Sequence, residues 1–73
     1  MISMYEKVKK YLDDTLHNMS FMNSQGGKRT FYDHAFGAWS IVYYSFATTE
    51  EERSELDFLW QEYRPIFEQK VYG

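Results

Sequence analysis

One all-α domain of three helices, packed as a small bundle, is the fold this sequence predicts, on three observations. Apolar side chains recur at helical spacing through residues 3–22 and 49–72. Residues 31–47 repeat that spacing with nearly two apolar faces in place of one. The chain is 73 residues long, which leaves room for a single domain spanning residues 1–73.

The first helix is expected to open at Ser3, because Ser3-Met4-Tyr5-Glu6 has the form of a capping box. Tyr5, Val8, Leu12, Leu16 and Met19 then share one stripe, and Glu6, Lys10, Asp13, Asp14 and His17 take the other side. Asn23 to Arg29 reads as the one loop, since it holds two glycines beside turn-favouring asparagine and serine. Thr30 is the expected cap of the second helix, near residues 31–47. Phe31, Ala35, Ala38, Ile41, Val42 and Phe46 make one face of it, and Tyr32, Phe36, Trp39 and Tyr43 a second. Only Asp33, Gly37, Ser40 and Tyr44 are left as a weakly polar strip. Ser40 to Phe46 is also rich in strand-favouring residues, but no strand partner is recognisable elsewhere, so helix is preferred. Thr48 or Thr49 caps the third helix, and Glu50, Glu51 and Glu52 come next, where the helix dipole favours carboxylates. Leu56, Leu59, Trp60, Tyr63, Phe67 and Val71 share its apolar face, with Phe58 on the far side. Pro65 cannot donate to the Gln61 carbonyl, so a kink or restart is expected there.

Composition excludes several classes. The chain has no cysteine, hence no disulfide, no thiolate metal site and no cysteine nucleophile. Its net charge of −3 is not that of an obvious nucleic-acid binder, and a hydrophobic fraction of 44% is too high for a disordered tail. Charged residues interrupt Met1 to Met22, which rules out a signal peptide, and Ala35 to Ala47 falls short of the ~20 apolar residues of a spanning helix. A cytoplasmic protein with no membrane association is the expectation. Charge is also uneven. Residues 1–30 hold five cations against three carboxylates, and residues 31–73 three against eight, so the first and third helices are expected to lie with opposite charges across their seam.

No enzymatic constellation is found. Ser40 and Ser45 sit on a packed helix without a base, and the carboxylates lie on solvent faces. Asp13, Asp14 and His17 supply at most two aligned metal ligands, so neither metal nor cofactor is expected. His34 reads as an imidazole at the edge of the core. No family signature is read from these residues.

Function is therefore sought in the aromatic residues, which make up 21% of the chain. Burying one aromatic side chain contributes about 1.5–3 kcal/mol, so leaving several in water would forfeit much of a small domain's stability. The expected function is a protein-interaction module whose contact residues are Tyr32, Phe36, Trp39, Tyr43 and Phe58. Its partner is a second copy, as a homodimer, or another protein. The alternative is a phosphate- or nucleic-acid-binding regulator. Gly26, Gly27, Lys28 and Arg29, before Thr30, combine flexible backbone, cations and free amides, with Lys7, Lys9 and Lys10 as further positive charge. A small-molecule pocket among Trp39, Trp60 and Tyr63 is a third class.

Overall fold

A computed structural model describes residues 3–73. Ser3 opens α1 (Met4–Met19), its hydroxyl accepting the Glu6 amide at 3.1 Å. The helix closes three residues earlier than expected. The Ser20, Phe21 and Met22 amides bond carbonyls three residues back, a tighter winding that uses up the last free carbonyls.

The second helix differs most from the sequence reading. It opens at Gln25, not near Phe31, because Ser24 is the cap: its hydroxyl accepts the Gly27 amide at 3.0 Å. Gly26 and Gly27 thus belong to the first turn of α2 (Gln25–Ile41), and neither has a positive φ. Thr30, the expected cap, donates its hydroxyl to the Gly26 carbonyl four residues back. At its far end α2 widens into a π-helical turn over Val42–Phe46, closed by the Ala47 amide on the Val42 carbonyl at 2.8 Å.

Ala47 to Thr49 connect to α3 (Glu50–Tyr72), which has a complete capping box. The Thr49 hydroxyl accepts the Glu52 amide, and the Glu52 carboxylate accepts the Thr48 and Thr49 amides. The Thr49 hydroxyl and then the Thr48 amide hold the Glu52 carboxyl below its ordinary value of 4.5. A depressed carboxyl stabilises the fold above the unfolded-state value, and that contribution is lost as pH falls through the folded-state value. The difference in urea midpoint between wild type and Glu52→Gln is therefore expected to shrink as the pH drops from neutrality below 4.5. A difference that ignores pH would contradict this account of the cap.

α3 continues without restart through Pro65. Both Pro65 and Gln61 lie on its exposed side, where water can take the carbonyl that lacks an amide donor.

The three helices pack against one another around a single core. α1 contributes Val8, Leu12 and Met19, α2 Ala35 and Trp39, and α3 the largest share through Leu56, Leu59, Trp60, Tyr63, Phe67 and Val71. The expected charge seam between α1 and α3 is absent among the described residues. The three ion pairs, Lys9–Asp13, Lys10–Asp14 and Arg64–Glu68, all lie one turn apart on their own helices. Exposed pairs gain little from either arrangement, and the one-turn spacing needs no long-range ordering. Polar contact between α1 and α3 runs through Tyr63, whose hydroxyl accepts from Lys9 at 2.8 Å and donates to Asp13. Burial pushes the Tyr63 phenol up, as does Asp13, and the bonds to Tyr63 and Asp13 hold the Lys9 ammonium in its charged form. No helix among the described residues is long and apolar enough to cross a membrane.

Candidate functional site

The aromatic stripe of α2 lies on α3, in a ladder of rings along the α2–α3 seam. Tyr32 stacks on Phe67 with centroids 5.5 Å apart, Phe36 sits 5.3 Å and Trp39 5.5 Å from Trp60, and Tyr43 stacks 4.9 Å from Trp39. Tyr44 closes the ladder edge-on against Tyr43. α2 and α3 run antiparallel in this seam, with the Gln25 side-chain amide bonding the Val71 carbonyl at one end and the Trp39 indole the Leu56 carbonyl toward the other.

The ladder divides the expected contact residues. Trp39 is buried, and its indole N–H donates to Leu56 at 2.7 Å, so it serves the core. Tyr32 and Tyr43 are half-buried. Phe36 keeps 48% of its surface exposed while resting on Trp60. Phe58, 65% exposed, lies elsewhere, in a shallow depression with Tyr5, Ser54 and Glu55. The five residues do not make one patch; four line the seam and the fifth stands apart.

No protein-family model matches this chain, and no curated protein or solved structure matches it either. Its functional reading rests on its own geometry.

Two of three exposed side chains at the end of α2 escaped sequence reasoning; Tyr44, placed on the polar strip, did not. Ile41 and Phe46, expected in the core, are 57% and 59% exposed, and Tyr44 is 76% exposed. For Phe46 the π turn is the reason; Ile41, in the regular helix before it, is exposed because no other helix covers that side. The π turn changes the rotation per residue after Ile41, so a helical wheel of uniform pitch misplaces every later position. The wider turn carries Ala47 into the core and leaves Tyr44 and Phe46 outside.

Two grooves lie along the seam. One, of about 340 Å³, is lined by Arg29, Tyr32, Asp33, Phe36, Trp60, Arg64 and Tyr72. Burial raises the Tyr32 phenol, the Glu68 carboxylate adds to the rise, and Arg64 opposes it. The other, of about 330 Å³, is lined by Tyr43, Glu50, Arg53, Ser54 and Asp57.

The glycine–cation segment takes a different form from the expected loop. Two of its amides are occupied, Gly27 by the Ser24 hydroxyl and Lys28 by the Ser24 carbonyl. Arg29 faces the α2–α3 groove, whereas Lys9 is tied to Asp13 and Tyr63 and Lys10 to Asp14. The cations expected to act together are spread over different surfaces. Asp13 and Asp14, the metal-ligand candidates, are engaged in these same bonds, and no group of three metal-ligating side chains comes together among the described residues.

Proposed function

We propose that this chain is a protein-interaction module that associates with a second copy of itself along the outer edge of the α2–α3 seam. The observation that carries this reading is Phe36. It stands half-exposed at the centre of the aromatic ladder, with exposed Tyr44 toward one end and exposed Tyr72 toward the other. Large aromatic side chains left in water along one seam favour a contact site there. A 73-residue domain also gains from extending its core across an interface, and two-fold dimers are the commonest way of doing so. The module acts by occupying a surface, without catalysis. A cysteine-free chain that needs no disulfides is at home in the reducing cytoplasm.

Sedimentation across the micromolar range tests the reading. Wild type is expected to sediment at twice the 8.9 kDa of one chain. Phe36→Asp is expected to shift it to a single chain while leaving the helical circular dichroism in place, because the side chain is half in water already. A wild type that remains a single chain at every concentration overturns the proposal.

A further inference from the structure

The charges along the outer seam are arranged in a way that fits a copy of themselves. On α3, Arg53, Asp57, Arg64 and Glu68 all border this surface. Arg53 and Asp57 line one groove, Arg64 lines the other, and Glu68 accepts from Arg64 at 2.8 Å. Their signs run plus, minus, plus, minus along the helix. The midpoint of the set falls between Trp60 and Gln61. Arg64 lies as far beyond that point as Asp57 lies before it, and Glu68 as far as Arg53. Reversal about the midpoint therefore lays each of these four charges on one of opposite sign, while Glu50, which lines the same groove as Arg53, falls opposite uncharged Val71.

α2 has the same centre. Phe36 packs on Trp60, and Arg29 and Tyr43 lie seven residues to either side of Phe36. Reversal about Phe36 places the Arg29 guanidinium of one copy over the Tyr43 ring of the other, a favourable cation–π partner. Arg29 forms no ion pair among the described residues, and Arg53 and Asp57 form none either.

We infer that two copies meet antiparallel across a two-fold axis passing between Phe36 and Gln61, with Arg53 on Glu68 and Asp57 on Arg64 in both directions. This rests on the self-association proposed above and adds its register. A two-fold contact is self-complementary, so each pairing occurs twice. Rim charges of this kind fix orientation and reject the wrong one more than they supply affinity. The parallel arrangement would oppose Arg53 to Arg53 and Asp57 to Asp57, which disfavours it. Phe36 and the ring beneath it supply the apolar centre in which such an interface concentrates its binding.

Two charge-reversed chains test the register. Arg53→Glu with Arg64→Glu makes the four α3 positions all acidic, and Asp57→Lys with Glu68→Lys makes them all basic. Each alone is expected to associate about tenfold more weakly or worse than wild type, from like charges at four paired positions. Mixed, they are expected to recover the wild-type affinity as a heterodimer, because every opposed pair is again of unlike sign. Recovery on mixing also shows that both chains are folded. As an independent check, Gln61→Cys in this otherwise cysteine-free chain is expected to cross-link to its own copy under mild oxidation, whereas His17→Cys on α1 is not. A wild-type dimer that tolerates both reversals, or reversed chains that stay apart when mixed while Gln61→Cys fails to cross-link, overturns the register and leaves self-association standing. A wild type that never dimerises overturns both.

Discussion

Phe67→Ala is expected to unfold a large part of the population near physiological temperature. Phe67 has no exposed surface, and its ring stacks on Tyr32 at 5.5 Å and on Trp60 at 6.0 Å. It is thus the point where α3 anchors both the core and the lower end of the aromatic ladder. Truncating a buried phenylalanine costs about 3–5 kcal/mol, part from lost transfer and part from the cavity left behind. A domain of this size has roughly 4–11 kcal/mol in total at ~0.05–0.15 kcal/mol per residue. One substitution therefore removes about a quarter or more of the margin. Urea unfolding followed by circular dichroism, at a concentration low enough to keep association out of the measurement, gives the loss directly. A loss below about 1 kcal/mol would mean that the rings collapse into the cavity, which a ladder of stacked, mutually fixed aromatics should resist. Phe58→Ala is the matched control: the same chemistry on a side chain 65% exposed, expected to cost little.

How much of this arrangement could be read from residue order varies with the physical signal involved. α1 and α3 were legible because each has one apolar stripe and a hydroxyl cap with glutamate three residues on, Ser3 for α1 and Thr49, one of two adjacent candidates, for α3. The start of α2 was not, because two hydroxyls competed. Ser24 and Thr30 are both good caps, and the glycine pair between them weighs toward a loop by propensity. The winning factor is tertiary: opening at Gln25 lets its side chain reach the Val71 carbonyl and brings Arg29 and Tyr32 onto α3. The surplus of aromatics in α2 was legible, but its division was not. Trp39 and Phe36 lie on one stripe, yet Trp39 is buried against Leu56 and Phe36 is left at the edge. That difference depends on where α3 sits, and the wheel of a single helix does not contain it. The π turn is the clearest case. Nothing in Val42-Tyr43-Tyr44-Ser45-Phe46 announces a wider pitch, and that pitch is what turns Phe46 from expected core to surface.

Pro65→Ala is expected to stabilise the protein, raising Tm by about 5–15 °C. Proline in a helix interior costs about 3 kcal/mol, through the missing amide and the clash of its ring with the carbonyl four residues back. Pro65 lies fifteen residues after the start of α3 and seven before its end, so no terminal exemption applies. The substitution supplies an amide to the Gln61 carbonyl at an exposed position, where no packing has to be rebuilt. Two effects reduce the gain. Proline stiffens the unfolded chain by about 0.4–1 kcal/mol, which alanine gives up. Pro65 also shields part of Ile66 in a shallow surface depression with Gln69 and Lys70. A net of about 1–2 kcal/mol remains, and at about 4–8 °C per kcal/mol for a domain of this length it produces the expected rise. The result bears on the interface as well. Arg64 and Glu68 flank Pro65 on the charged face, so a proline kept at a cost in stability is explained if it sets the direction in which those two side chains meet a second copy. In that case Pro65→Ala melts higher and self-associates more weakly. A variant that melts higher and associates as well as wild type separates the proline from the interface, and one that melts lower contradicts the helix argument itself.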